Sequence, residues 1–210
     1  NAIGYGLKLW RRKCHRLLAW LLLKALPRLA ITHILAIASA FFAAMLLLKG
    51  AAQLGIRTIS LSEDAGGAGA DALTTCIVLE ELASGEVDVA TILGTTATLG
   101  HLLFDRLMSA EQKAMYLKSF VDDEDFHLAF AGTTAEQGLG WTYHRDAYED
   151  EIVVPTAVKQ GKDWVLNGRI EAVANAPLAK LFAVQVRTSA GSKGAKGLST
   201  FLIARDAAGF

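Results

Sequence analysis

The residue types that most often perform acid–base or metal chemistry are present in this chain, but their spacing does not suit it. The five histidines stand at positions 15, 33, 101, 127 and 144, and no interval among them matches the short spacing of a zinc site. The adjacent carboxylates Glu80 and Glu81 fall within a predicted helix, where solvated or capping roles account for them. The sequence therefore predicts no metal site and identifies no catalytic residue.

Small and hydroxyl-bearing residues form a second group of candidates. The run Gly94–Thr98 reads Gly-Thr-Thr-Ala-Thr, a composition that we expect to interrupt a helix. Close packing of two helices is the simplest explanation for such a run. Gly66, Gly67 and Gly69 precede a predicted helix, but they lack the spacing of a nucleotide-binding loop, so they indicate a turn.

Helical patterns dominate the chain between residues 70 and 124. Asp71 and Ser109 are predicted N-caps. The first opens a helix that extends to about Ala83, and a further helix is predicted from about Asp88 through Leu107. The residues expected to share one face of the first helix are Leu73, Cys76 and Ile77, and those expected on the buried side of the Ser109 helix are Tyr116 and Leu117.

From His127 the hydrophobic period changes to that of strands. The β-type runs are LAFAG, AVK, WVLNG, KLFAVQV and LSTFLIA. Turns are predicted at Gly161–Asp163 and at the hairpin-like pair Asn167–Gly168, and an exposed loop at Ser189–Lys196. An earlier alternating run, Arg57–Leu61, is also predicted to be a strand.

Helices followed by strands predict an α+β chain. We expect an N-terminal all-α domain over residues 1–124, with 1–40 as an atypical basic and apolar leader. A β-barrel or sandwich domain over residues 125–210 should follow. Only two cysteines occur, Cys14 and Cys76, which argues against a disulfide framework and for a reducing compartment.

The leader separates charge from the rest of the chain. The formal net charge is zero, yet residues 1–62 contain no acidic residue. Leu29–Leu48 has no charged side chain and is long enough to span a bilayer. Buried helices are the favoured interpretation, with Phe41–Leu54 packed in the α domain, and membrane contact through 1–48 is the alternative. The cations of 1–62 are Lys8, Arg11, Arg12, Lys13, Arg16, Lys24, Arg28, Lys49 and Arg57.

An ordered series of segments runs from residue 55 to the end of the chain. The segments are GIRTISLSEDAGGAGAD (55–71), LEELASGEVDVAT (79–91), LGHLLFDRLMSAEQKAMYL (99–117), LAFAGTT (128–134), WVLNGR (164–169) and KGLSTFLIARDAAGF (196–210). Their order and spacing resemble the acyl-CoA dehydrogenase family. The resemblance implies an N-terminal helical domain and a middle β domain. In the family, further β strands and a C-terminal helical domain follow, so we expect the β domain within 125–210 to be incomplete.

Two patterns of the middle domain contact FAD in that family. The first aligns with residues 130–140, where Phe130, Thr133 and Gly138 are retained. The second aligns with 167–175, where the Trp that packs on the flavin and the Thr that bonds its reactive nitrogen have become Ala172 and Ala174. The cofactor site that the resemblance implies comprises Phe130, Gly132, Thr133, Gly138, Leu139, Ala172, Val173 and Ala174.

These two losses predict a weakened FAD site. Replacing Trp by Ala removes about 1–3 kcal/mol of packing with the flavin. The lost hydroxyl removes a further ~0.5–1.5 kcal/mol. Backbone groups of 172–174 can still contact the ring, because we expect them to form a strand. The resemblance also implies that Gly94, Thr95 and Thr96 face the acyl tail of an acyl-CoA substrate.

The resemblance implies α,β-dehydrogenation of an acyl-CoA thioester, with hydride transfer to FAD and an electron-transfer flavoprotein or similar acceptor as partner. The family's catalytic base is a Glu of the C-terminal domain, which no residue here matches, so we expect the 210-residue chain alone to be inactive. The alternative is a non-catalytic partner subunit or scaffold of an acyl-CoA dehydrogenase complex. Either function implies an oligomer or a partner subunit, no nucleic acid, and the cytoplasm or a mitochondrial matrix.

Overall fold

A computed structural model describes residues 33–36, 38–39, 42–132, 155–189 and 197–210. The chain divides into two compact units, Asn1–Leu47 and Leu48–Phe210. In the first unit the described residues are helical and mostly exposed, and the rest of the predicted leader lies outside the described residues. Helix α1 spans Phe42–Gln53, in agreement with the predicted helix at 41–54. In the second unit its residues Leu48 and Ala51 are buried.

Residues 55–70 form tight turns, so the predicted strand at Arg57–Leu61 is wrong. Short 3₁₀ helices occur at Ile56–Thr58 and Glu63–Ala65. The glycine-rich loop folds back onto Leu61, and a Cβ at Gly67 would collide with the Leu61 carbonyl. Arg57 is buried and donates hydrogen bonds to the carbonyls of Val121 and Phe126, each with a donor–acceptor distance of 3.2 Å. These long-range contacts override the local preference for a strand.

The helices of the second unit follow the predicted order. They are α2 (Ala72–Gly85), α3 (Val87–Gly100), which continues as a π-helical segment at His101–Leu107, and α4 (Ala110–Asp122). Both predicted N-caps are confirmed. The Asp71 carboxylate accepts a hydrogen bond of 2.8 Å from the backbone N–H of Thr74, and Ser109 forms a capping box with Gln112.

Two details of the helix predictions change. Helix α3 is continuous, so the predicted interruption at Gly94–Thr98 is wrong. Its glycine instead permits close packing, because a Cβ at Gly94 would lie 3.0 Å from the Leu79 side chain of α2. The shared face of α2 is present, but Leu73, Cys76 and Ile77 are exposed on it.

One helix in the described part of the chain has the length and hydropathy of a membrane span. It is the combined helix Val87–Leu107, and 44% of its most apolar 18-residue stretch is buried inside the protein. Leu93, Leu103 and Phe104 are fully or almost fully buried within the unit. This helix is therefore the central core helix of the helical part.

The five strands predicted from the β-type runs after His127 are present and form one mixed sheet. The strands are β1 (His127–Ala131), β2 (Thr156–Gln160), β3 (Asp163–Asn167), β4 (Ala179–Arg187) and β5 (Leu198–Ala204). Strand β4 pairs with β1 in parallel and with β5 antiparallel, and Thr156 of β2 pairs with Arg187 at the end of β4. Strands β2 and β3 form a hairpin. The α+β class is thereby confirmed.

Of the two turns predicted on either side of β3, only the first is a hairpin turn. Strands β2 and β3 are joined at Gly161–Lys162, as one of the two predicted turns requires. The hairpin predicted at Asn167–Gly168 is wrong, because β3 ends at Asn167 and irregular backbone follows through residue 173. Most of the predicted Ser189–Lys196 loop, residues 190–196, lies outside the described residues.

Aromatic packing joins the helices to the sheet. Phe104 and Phe120 stack with their ring centroids 4.8 Å apart, and Phe126 meets Phe120 edge-on at 5.8 Å. The same buried cluster includes Leu128 of β1 and Leu181 of β4. A second cluster includes Ala129, Phe182 and Val184, whose positions along β1 and β4 alternate with those of the first cluster. The sheet is thus fixed to the helices through one face of β1 and β4.

Candidate cofactor site

The first predicted cofactor segment is only partly described. Phe130 of β1 is half-buried, and Gly132, just beyond the strand, is buried. A Cβ at Gly132 would collide with the Phe130 ring, so this close approach requires glycine. The other residues predicted from this pattern, Thr133, Gly138 and Leu139, lie outside the described residues.

The second predicted cofactor segment does not form the expected strand. Ala172 adopts a left-handed backbone conformation with φ 55°, and residues 174–178 form turns. The side chains of Ala172 and Ala174 are exposed, whereas Val173 packs against the second core cluster. The expectation of a strand at 172–174 was therefore wrong, because the chain must turn at this point to enter β4.

Asn175 ties this turn to the helices and to the sheet. Its carboxamide nitrogen donates hydrogen bonds to the carbonyl of Ile92 in α3, at 3.0 Å, and to the carbonyl of Leu128 in β1, at 3.3 Å. It also lies 3.4 Å from the hydroxyl of Thr96. Because both carbonyls only accept hydrogen bonds, they determine which way the carboxamide faces. The 172–175 turn is thus held beside β1, two residues from Phe130.

The Thr96 hydroxyl organises a second part of this buried network. It accepts hydrogen bonds from the backbone N–H of Leu128, at 3.4 Å, and from the Asn175 carboxamide nitrogen. Its own proton is therefore available to the Nδ1 atom of His127, 3.3 Å away. His127 then carries its proton on Nε2. Burial, together with the nearby charge of Arg57, lowers the pKa of His127 to about 4, so the imidazole is neutral at physiological pH.

The residues predicted to face an acyl chain have different environments. Thr96 is completely buried, and its hydroxyl is used by the network just described. Gly94 and Thr95 are half-buried. Thr96 consequently connects the helices to the predicted cofactor segments, and it has no exposed surface for a substrate.

A separate cavity of about 1010 Å³ lies among the 60–72 loop, α2, the π-helical segment and α4. The Asp105 carboxylate receives hydrogen bonds there from the Ser62 hydroxyl, over 2.7 Å, and from the Ser62 backbone N–H, over 3.1 Å. His101 Nδ1 lies 2.7 Å from the same carboxylate. These hydrogen bonds outweigh partial burial and lower the pKa of Asp105. Of the predicted cofactor residues that the structure describes, Phe130, Gly132 and Ala172–Ala174, none lines this cavity.

The Ser62–His101–Asp105 network was not predicted from the sequence. The interval of four residues between His101 and Asp105 places them on one helical face and is a usable signal. No sequence signal links Ser62 to them, because the contact depends on the folded loop. Among the described residues, no group of three or more His, Cys, Asp or Glu side chains is placed to hold a metal ion.

Comparison with known proteins links this architecture to one family. Residues 29–124 match the family described as acyl-CoA dehydrogenase, N-terminal domain. The short/branched chain specific acyl-CoA dehydrogenase of rat mitochondria is 32% identical over 166 residues, which cover 78% of this chain and 35% of the relative. The cyclohex-1-ene-1-carbonyl-CoA dehydrogenase of Syntrophus aciditrophicus is 34% identical over 160 residues, covering 75% and 36%.

A solved structure shows the same fold. A glutaryl-CoA dehydrogenase from Mycobacterium smegmatis, in complex with FADH2, superposes with a TM-score of 0.62 at 25% identity. The matched region covers 78% of this chain and 38% of that protein. The chain thus spans little more than a third of the length of these relatives. In sequence, fold and order of elements, the chain is therefore similar to the acyl-CoA dehydrogenase family, whose N-terminal domain matches residues 29–124.

Proposed function

We propose that the chain contributes to an FAD-dependent enzyme that dehydrogenates an acyl-CoA thioester between its α and β carbons. In this proposal residues up to 124 form the N-terminal helical domain, and residues 125–210 form part of the middle β domain. The relatives named above are dehydrogenases of CoA thioesters, and one of them contains reduced FAD. These relatives support the substrate class and the cofactor.

The backbone of Ala172–Ala174 is the observation that carries the proposal. Among the described residues, none accepts a hydrogen bond from the backbone N–H groups of this segment. Ala172 and Ala174 are exposed and small, so a planar ring can approach the backbone closely. Such a surface fits a flavin even though the Trp and Thr of the family pattern are missing.

The roles proposed for individual residues follow from this placement. Ala172, Val173 and Ala174 offer backbone groups to the flavin, and Phe130 and Gly132 shape the adjoining end of β1. Thr133, Gly138 and Leu139 complete the first cofactor segment, and Gly94 and Thr95 are the remaining candidates for contact with the acyl chain. When bound, FAD supplies the hydride acceptor. We assign no catalytic base to a residue of this chain.

A non-catalytic partner subunit is the second candidate function, and the missing Trp and Thr are the observation behind it. The relatives carry the names of enzymes, which favours the dehydrogenase. We propose an electron-transfer flavoprotein or similar acceptor as redox partner, and an oligomeric assembly. The proposed compartment is the cytoplasm, or the mitochondrial matrix in a eukaryote.

Restoring the missing side chains should tighten FAD binding. We expect the double substitution Ala172→Trp with Ala174→Thr to lower the Kd for FAD by about 5- to 150-fold, or about 1–3 kcal/mol, through one aromatic contact and one hydrogen bond. Quenching of flavin fluorescence during titration measures the Kd. Both side chains project from exposed positions, so the fold should tolerate the change.

The matched control is a tryptophan placed on another exposed apolar position, Val158→Trp on β2. It adds the same aromatic surface away from the proposed site and should leave the Kd unchanged. A folded double variant that binds FAD no more tightly than the wild type would place the flavin elsewhere. Equal gains in both variants would indicate nonspecific stacking.

A further inference from the structure

Asn175 occupies a backbone conformation that most residues avoid. Its φ of 62° lies in the left-handed region, yet the residue is only 9% exposed. Glycine adopts this conformation at the least cost, and asparagine is the side chain that tolerates it best. The backbone angle alone would favour glycine, so the carboxamide itself must account for an asparagine here.

The carboxamide connects three parts of the fold at one point. Its two hydrogens are shared among the Ile92 carbonyl of α3, the Leu128 carbonyl of β1 and the Thr96 hydroxyl. The backbone carbonyl of Asn175 also accepts hydrogen bonds of 2.9 Å from the N–H groups of Leu178 and Ala179, where β4 begins. The turn is therefore fixed on both sides of the residue.

The segment that this network holds is the one proposed to contact the flavin. Ala172 and Ala174 supply little side-chain contact of their own, so the placement of their backbone decides how well it meets the ring. A buried hydrogen-bond network that is fully satisfied keeps such a segment in one arrangement.

We propose that Asn175 is a positioning residue for the cofactor. Its carboxamide holds the 172–175 backbone against α3 and β1 and thereby presents Ala172–Ala174 to the flavin. Thr96 supports it as the shared hydrogen-bond partner. This inference rests on the proposed function, and it reassigns Thr96 from substrate contact to cofactor positioning.

Asn175→Gly separates the side chain from the backbone conformation. Glycine keeps the left-handed turn and removes every hydrogen bond of the carboxamide. We expect the Kd of the chain for FAD to rise about tenfold or more, and the absorption spectrum of the remaining bound flavin to shift toward that of free FAD. A wild-type Kd in Asn175→Gly would overturn the proposal.

Asn167→Gly is the matched control. It makes the same chemical change at an exposed asparagine whose side chain has no hydrogen bond to another described residue, and the Kd of this variant should equal that of the wild type. Should Asn175→Gly fail to fold, Thr96→Val removes one shared partner while keeping the side-chain shape. We expect about threefold weaker FAD binding from Thr96→Val, and unchanged binding in that folded variant would contradict the positioning role.

Hydrogen exchange distinguishes a failure of this inference from a failure of the proposed function. If the wild-type chain does not bind FAD, the cofactor proposal fails, and the amides of Leu178 and Ala179 then decide the positioning role. They should exchange at least tenfold faster in Asn175→Gly than in the wild type, with unchanged exchange in Asn167→Gly. Equal protection in all three proteins would show that the carboxamide does not hold the turn.

Discussion

Replacing Phe120 with alanine is expected to lower the free energy of unfolding by about 3–5 kcal/mol. Phe120 is fully buried, stacks on Phe104, meets Phe126 edge-on and carries the Arg57 guanidinium 4.6 Å from its ring centroid. Gly100 faces the ring so closely that a Cβ there would lie 3.0 Å from it. The cavity left by alanine cannot be filled by one neighbour. Urea denaturation followed by circular dichroism measures the loss.

Met115→Ala is the control on the same helix. Met115 is 66% exposed, so its truncation should change the free energy of unfolding by less than about 0.5 kcal/mol. Phe120→Leu retains part of the packing and should lose about 1–2 kcal/mol. A loss below 1 kcal/mol in Phe120→Ala would mean that the aromatic cluster does not stabilise the helical part as described.

Lowering the pH from 6.5 to 4 is expected to reduce the free energy of unfolding by about 3 kcal/mol through His127 alone. The unfolded chain protonates this histidine near pH 6.5, whereas in the folded protein its pKa is lowered to about 4. Between these values the unfolded state binds more protons, so stability falls as the pH falls. Protonating Nδ1 would also set an N–H against the Thr96 hydroxyl hydrogen.

His127→Gln isolates this contribution, because glutamine does not titrate and its carbonyl can accept the Thr96 proton. The difference in stability between wild type and variant should be constant above pH 7 and shift by about 3 kcal/mol in favour of the variant toward pH 4. The carboxylates with lowered pKa, Asp71, Asp105 and Asp123, lose their contributions in both proteins. Parallel stability curves from pH 7 to pH 4 would show that His127 is not buried in its neutral form.

The elements that sequence analysis predicted correctly are those whose signals are local. Asp71 and Ser109 begin their helices because a side-chain oxygen three residues before a free N–H satisfies it without help from the rest of the fold. The β runs after His127 were recognised because alternation is a property of each strand. Local signals failed at Arg57–Leu61, where the buried guanidinium is drawn to carbonyls more than 60 residues away.

The candidate site was predicted less completely because its geometry depends on long-range contacts. The resemblance identified the 172–174 segment, but no pattern indicates that Ala172 is left-handed or that Asn175 spans three elements. The resemblance assigned Thr96 to the acyl chain, whereas the run of small residues itself indicated only close helix packing. The burial of this α3 residue against β1 and the 172–175 turn depends on His127 and Asn175, which lie 31 and 79 positions further along the sequence.

The location of the flavin is tested most directly by hydrogen exchange of this chain with and without saturating FAD. The proposed site requires slower exchange at the amides of Gly132 and of Ala172–Ala174 when FAD is present. The 60–72 loop and the π-helical segment, which line the separate cavity, should exchange at the same rate in both samples. Slower exchange confined to those cavity residues, or bound FAD without any change at 172–174, would contradict a flavin site on this turn.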